Sequence, residues 1–384
     1  MKKKTLIICS RRTKKAPRLN NTYNLLKSKY DITIAGDSQP TYISRRKFIE
    51  LKTQKTSFSK IHRGFVLFLF MPLFPFKLSH LKYILKPNAF NLYKTVSFRK
   101  LDIVILHHID LLPVICYLKR KQKFKLILNI HEYYPKEFDG QKKWLKMQSY
   151  WDNLCHEFMS HVDLFLSVNE TISNEFIKQF KLDDSKFFTY PNVKKFEDLK
   201  PINSLKKHIR LVHHGAAIPS RKIENMLKLM ELLPINYELT LILIERDPSY
   251  LKYLKTFENK RIKFIKPIIF DDISSFLNDF DIGLYFLEPS NFNEENSLPN
   301  KFFEFIQARL CIAVTPVNEM KKIVLENEIG IVSKDYDLNK FAEQLSKISK
   351  KEIFRYKKNV HKVAYEFSSN FYDKRILNEI EKLI

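Results

Sequence analysis

Short apolar runs, unbroken by the polar alternation of a one-sided sheet, recur through both halves of this chain. In the first half they are Thr5–Cys9, Ile32–Ala35, Asp102–His107, Phe124–Ile130, Leu164–Val168 and Phe187–Tyr190. Helical spacing fills the intervals at about Leu19–Lys29, Asp110–Leu118 and Lys142–His161, and Asn169 stands as a cap before another helix. The second half repeats the scheme. Strands at His208–His213, Leu239–Ile244, Ile262–Ile265, Ile282–Phe286 and Leu310–Val314 alternate with helices at about Ser220–Leu232, Pro248–Thr256 and a third, capped by Asp271 or Asp272, that runs through Phe280. Strands apolar on both faces need cover on both, which a parallel sheet with crossover helices provides. The fold class is therefore α/β, and 384 residues suit two domains of about 190 each. A polar interval with Pro201, Lys194–Lys206, is expected to link them.

What is missing narrows the chemistry. The chain has six glycines and neither G-x-G-x-x-G nor G-x-x-x-x-G-K, so the fingerprints of nicotinamide dehydrogenases and P-loop NTPases are absent. Cys9, Cys116, Cys155 and Cys311 are widely separated, which gives no zinc or disulfide spacing and suits a reducing cytoplasm. Thr5–Cys9 is too short for a signal-peptide core. The net charge of +25 attracts phosphorylated ligands or anionic lipid; it also fits a chain rich in Lys, Asn, Ile and Phe throughout. No nucleic-acid-binding module is recognisable, so no nucleic acid is expected as partner. Phe65–Phe76 carries no charge over twelve residues and is flanked by Lys60, Arg63, Lys77 and Lys82. It is short of a membrane span and is either an interfacial segment on anionic lipid or part of a buried core.

Two stretches carry candidate chemistry. Leu298–Gly330 is expected to run loop, helix, strand, loop, helix, with Ser297 as cap, Pro299 in the first turn, and Phe302, Phe303 and Ile306 facing a core. Lys301 and Glu304, three apart at a helix start, can hold a diphosphate and a ribose hydroxyl pair; an amphipathic surface helix with a solvated Lys–Glu pair has the same spacing. Gly215–Lys222 leaves a strand end and places Arg221 and Lys222 in the first turn of the next helix. Arginine chelates two phosphate oxygens and lysine acts as a point charge. In the first half, His131 and Glu132 follow a strand where ligands of open parallel sheets bind, with His107 and His108 in a similar position. Arg11, Arg12 and Arg18 lie in a cationic loop after the first strand.

Pro299-Asn300-Lys301-Phe302-Phe303-Glu304, followed by a small-residue turn and an apolar strand, resembles the donor segment of GT-B glycosyltransferases, in the large retaining family four of bacterial surface-polysaccharide enzymes. Weaker echoes cover most of the chain. Gly215, Gly283 and Gly330 fall where the family has glycine, and Pro191-Asn192-Val193 matches its turn before the linker.

The resemblance implies two Rossmann-like domains facing a cleft: residues 1–195 for the acceptor, 196–365 for the nucleotide-sugar, and a C-terminal helix, 366–384, crossing back to the first. It implies donor binding by Gly215, Arg221, Lys222, Asn296, Pro299, Asn300, Lys301 and Glu304. His131 and Glu132 would serve catalysis, and Arg11, Arg12 and Arg18 the acceptor. Asn296 stands where the family's first carboxylate is usual, and Ala216 where it has a cation. The implied activity is transfer of a sugar from a UDP- or GDP-sugar to a glycan or lipid-linked acceptor. No metal and no cofactor is implied, and the place is the cytoplasmic face of the inner membrane. A nucleotide-sugar 2-epimerase of the same fold and a non-catalytic nucleotide- or glycan-binding protein are the alternatives.

Overall fold

The computed structural model describes residues 2–10, 13–51, 87–137, 139, 144–204 and 207–384. It divides into two compact units, Met1–Pro191 with Asp373–Ile384, and Asn192–Tyr372. The apolar segment Phe65–Phe76 and the pair Arg11 and Arg12 lie outside the described residues.

In the first unit, β1 (Lys4–Cys9), β2 (Asp31–Gly36), β3 (Phe48–Glu50), β4 (Ile103–His107), β5 (Lys125–Ile130), β6 (Leu164–Ser167) and β7 (Phe187–Thr189) form one parallel sheet. Its order is β3-β2-β1-β4-β5-β6-β7. The chain leaves β1 to one side and returns on the other, so β1 and β4, in register at Ile7 and Ile105, form the switch point where such sheets bind ligands. Leu6, Ile7, Ile105 and Leu128 are wholly buried, as strands covered on both faces require. The covering helices are α1 (Pro17–Leu26), α2 (Pro87–Val96), α3 (Leu112–Lys121), α4 (Trp144–Phe158) and α5 (Glu170–Phe180). Asn169 caps α5 as expected, accepting from Ile172 N at 2.9 Å. Strand β3 was not anticipated, because three residues are too few to show a period.

The second unit has β8 (Ile209–Ala217), β9 (Tyr237–Glu245), β10 (Ile262–Ile265), β11 (Ile282–Tyr285), β12 (Cys311–Val314) and β13 (Gly330–Val332). Their order, β10-β9-β8-β11-β12-β13, repeats the first sheet's topology and puts the switch point between β8 and β11. Helices α6 (Glu224–Leu232), α7 (Pro248–Lys255), α8 (Ile273–Asn278), α9 (Phe292–Glu295), α10 (Asn300–Gln307), α11 (Asn318–Glu326), α12 (Leu338–Ser346) and α13 (Lys350–Val363) accompany it. The last helix, α14 (Ser369–Leu383), is anchored in the first unit, where Tyr190 donates to Asp373 at 2.7 Å and Lys29 pairs with Glu381 at 2.6 Å.

Three local expectations are corrected. The first residue of the expected linker, Lys194, is polar but packed: it is buried, and its Nζ donates to Asp271 O at 3.0 Å. Arg221 and Lys222 precede α6 instead of opening it. Pro219 starts a tight turn that Lys222 closes in a left-handed conformation (φ 45°), its N–H donating to Pro219 O at 3.0 Å. Arg18 is not in a loop, because Pro17 at the first helical position starts α1 earlier than expected.

Helix α10 is set on the sheet by a close fit. Phe302 through Gln307 are all buried, so the surface-helix alternative does not describe it. Its end is held by Arg309, wholly buried at φ 58°. That guanidinium donates to Ile306 O at 3.2 Å, Gln307 O at 2.6 Å and Glu197 O at 2.6 Å, which satisfies carbonyls that a helix end leaves open. On the strand beneath, Gly283 admits the Phe305 ring: a Cβ there would lie 2.5 Å from Phe305 Cγ. Gly283→Ala should therefore push α10 off β11 and cost about 1–3 kcal/mol of stability, as overpacking does. The check is a lower urea midpoint with an unchanged slope; a wild-type midpoint would show that the ring can move aside freely.

Candidate functional site

Strand β8 passes its last pair with β11 at Val212 and continues beside β9 through His213-His214-Gly215 to Ala217, and α10 begins beside that stretch. Gly215 has φ 135°, and a Cβ there would sit 2.9 Å from Lys301 Nζ, so glycine both permits the backbone and admits the lysine. The Lys301 ammonium lies 4.4 Å from the centre of the Tyr285 ring, at the end of β11, and 3.2 Å from His213 Nε2. Arg221, from the turn before α6, donates to the Tyr285 hydroxyl at 3.1 Å. Two cations thus meet at one tyrosine at the switch point, and neither is ion-paired with a carboxylate among the described residues. Pro299 occupies the cap position of α10 and offers no side-chain acceptor, which leaves first-turn N–H groups facing outward beside them.

Glu304 sits one turn further along. It is 6% exposed, and its Oε2 is 3.1 Å from His214 Nε2. His214 Nε2 forms no hydrogen bond there, so the contact is a close approach short of a bond. Burial, and then Lys301, push the His214 pKa down to about 3, which leaves the imidazole neutral. Burial pushes Glu304 up to about 7, against the pull of Lys194 and Lys301. Burial, and then the charge of Arg221, bring Lys301 down to about 7, against the pull of Glu304. Such a site is poised for an anion with adjacent hydroxyls: the cations gain a counter-charge, and a carboxylate accepts the hydroxyl protons.

The remaining donor candidates are distributed around this centre. Asn300 is exposed at the helix start and accepts from Asn192 at 2.7 Å. Asn296 is buried, donating to Phe292 O at 2.8 Å and accepting from Asn318 at 3.0 Å. Lys222 is directed to the surface, where it pairs with Glu288 at 2.7 Å. Ser297, expected to cap the helix, instead donates to Glu294 O at 2.9 Å, because the helix starts at Asn300. His213 and Tyr285 were not singled out from the sequence; the one available signal was the His-His pair at a strand end before glycine. Asp279-Phe280-Asp281 and Asp335-Tyr336-Asp337 have the aspartate-x-aspartate spacing, but Asp281 accepts from Arg210 N at 2.8 Å and Asp337 caps α12.

In the first unit, His131 follows β5 with its Nε2 3.4 Å from His107 Nδ1, and its ring stacks on His108 at 4.3 Å. His108 is held at φ 74°. Burial above all, with neighbouring Arg18 and histidines, depresses His107 and His131 well below the usual imidazole range, so both are neutral. Glu132 is half-buried beside them. Arg18 is 5% exposed and donates to Asn129 Oδ1 at 2.6 Å, Ile130 O at 3.1 Å and Tyr190 O at 2.5 Å. It crosslinks strand ends from within.

Glu304 and Lys301 each imply a pH signature in the absence of ligand, alongside other shifted groups of the second unit such as Lys357, which burial brings down to about 8. Glu304 binds a proton in the folded chain from about pH 4.5 to about 7, where the unfolded chain has released it, so stability falls as pH rises through that window. Lys301 is neutral when folded from about pH 7 to about 10.5, where the unfolded chain keeps its proton, so stability rises there. In denaturant melts across pH, Glu304→Gln should make the profile fall less between about pH 4.5 and 7, and Lys301→Met should remove the part of the rise that begins near pH 7, leaving the part due to Lys357 above about pH 8. A profile unchanged by either substitution would show that neither group carries its window.

No protein-family model matches the sequence, and no curated protein matches it. Solved structures do match over their whole length. HepE of Anabaena, crystallised with UDP, is 12% identical with a TM-score of 0.72, all of both chains being covered. Sucrose-phosphate synthase of Thermosynechococcus elongatus is 12% identical with a TM-score of 0.72, over 99% of this chain and 98% of that one. The UDP-forming α,α-trehalose-phosphate synthase of Burkholderia vietnamiensis is 11% identical with a TM-score of 0.66, over 100% and 98%. At such identities the likeness is one of fold: two parallel α/β sheets of seven and six strands, the architecture of the GT-B glycosyltransferases.

Proposed function

We propose that this chain is a nucleotide-sugar-dependent glycosyltransferase whose second unit holds the donor. The observation that carries the reading is the meeting of Arg221 and Lys301 at Tyr285, one helical turn from the buried carboxyl of Glu304. A nucleoside diphosphate supplies what this group lacks: charge for the two cations and the α10 start, and a ribose diol for Glu304. Departure of that diphosphate from the sugar is assisted by the same cations, so the reaction uses no metal and no cofactor beyond its substrate. UDP is the favoured nucleotide, in keeping with the UDP bound in the HepE structure, and a GDP-sugar is the other candidate. Transfer retains the anomeric configuration and delivers a hexose. Gly215, Asn296, Pro299 and Asn300 shape the donor site and Lys222 rims it.

On the acceptor side stand His131 and Glu132; Arg11 and Arg12 are acceptor candidates by sequence alone, whereas Arg18, buried and bonded to strand-end oxygens, supports the site from within. The neutral His131 is suited to a hydrogen bond to the transferred sugar. The acceptor is a glycan or lipid-linked glycan of bacterial capsule or lipopolysaccharide synthesis, met at the inner face of the cytoplasmic membrane. The basic composition and the Phe65–Phe76 segment support that placement. No described helix is long and apolar enough to cross a membrane.

Thermal melts with UDP, GDP and ADP test the donor site directly. One nucleotide should raise the melting temperature; Glu304→Ala should remove most of the gain and Arg221→Ala part of it. Protection by none of the three would end the donor-site reading. Product analysis with a panel of sugar nucleotides then separates transfer from epimerisation, since an epimerase converts its substrate with no acceptor present.

A further inference from the structure

His213 is buried in the middle of β8, just past the last β8–β11 pair, and is 1% exposed. Its two ring nitrogens face partners of opposite kind. Nδ1 lies 2.9 Å from Leu284 O, and a carbonyl only accepts, so Nδ1 carries the proton. That leaves a lone pair on Nε2, which lies 3.2 Å from Lys301 Nζ, and an ammonium only donates. The Leu284 carbonyl is available because the β8–β11 ladder records its last pair at Gly283↔Val212. The imidazole also lies parallel to the Tyr285 ring, 5.7 Å away and 20° inclined, the ring that the ammonium covers. Gly215 leaves the space that the lysine occupies.

We infer that His213 is a positioning residue, a neutral acceptor fixed by a backbone carbonyl that aims the Lys301 ammonium at the donor diphosphate without cancelling its charge. The inference rests on the donor-site reading above. The chemistry explains why an imidazole serves here. A carboxylate in the same place would form a buried ion pair and use up the charge meant for the ligand. An aliphatic side chain would leave the ammonium without an acceptor in a half-buried position, at a cost in its pKa. The groups facing Lys301 are His213 and His214 from β8, Tyr285 from β11, Arg221 from the turn before α6, and Glu304 from its own helix. Arg221 opposes the ammonium, Glu304 favours it, and the lone pair of His213 adds to the favourable side.

The test is UDP affinity by calorimetry from about pH 6 to about 9, a range that brackets the lysine's titration. It compares wild type, Lys301→Met, His213→Leu, His213→Asn and His213→Gln. Asparagine can keep the bond to Leu284 but falls short of Lys301; glutamine carries an acceptor to about the place of Nε2. His213→Leu and His213→Asn should each lower affinity near neutral pH about tenfold, roughly one hydrogen bond to a charged group. They should also move the lysine's limb of the pH profile to lower pH. His213→Gln should restore most of both. Lys301→Met removes that limb and isolates it from the titrations of Glu304 and UDP. If Lys301→Met binds UDP like wild type, the donor-site reading fails. If Lys301→Met weakens binding while His213→Leu and His213→Asn keep wild-type affinity and profile, the reading stands and the role of His213 is overturned. Should His213→Leu not fold, the asparagine–glutamine contrast decides alone.

Discussion

Two positive charges at one phenol ring, with no carboxylate paired to either among the described residues, are the constraint on which the second unit is arranged. Like charges at that separation repel, and burial sharpens the repulsion. The arrangement persists because each cation is held by neutral groups: Lys301 by an imidazole lone pair and a π face, Arg221 by a hydroxyl. A cation–π contact contributes about 0.5–2 kcal/mol, enough to orient an ammonium and too little to satisfy it. The unsatisfied part is what an anion gains on arrival.

That local balance depends on packing further off. Lys301 reaches Tyr285 only if the start of α10 lies over the end of β11. Gly283 sets that height by admitting Phe305, and Arg309 fixes the other end of the helix by filling its open carbonyls. Gln307 adds a third restraint, donating to Ala364 O at 2.7 Å. Polar groups therefore hold this eight-residue helix at both ends, Lys301 at its start and Gln307 with Arg309 at its finish.

The first unit solves a similar problem in the opposite way. At its strand ends His107 and His131 are neutral and touch one another, and among the described residues the guanidinium beside them, Arg18, is committed to oxygens of Asn129, Ile130 and Tyr190. Among the described residues, its switch point therefore offers neutral imidazoles where that of the second unit offers cations.

Much of this was written in the chain. Apolar runs without alternation dictated parallel strands, because only burial on both faces tolerates them. The Pro-Asn-Lys-Phe-Phe-Glu run marked a helix start with a cation and a carboxylate on it, and Asn169 announced its own cap. What the sequence left undetermined involves distances between segments far apart in the chain. Periodicity assigned Lys301 and Glu304 to one side of a helix, but that Glu304 is buried follows from how α10 lies on the sheet. Arg221 and Lys222 are adjacent, yet a left-handed turn sends one to Tyr285 and the other to Glu288. The run Arg11, Arg12 and Arg18 reads as one basic loop, yet Pro17 opens a helix that takes Arg18 into the interior. His213 stands 88 residues from Lys301. Their meeting is a property of strand order, which local pattern does not encode.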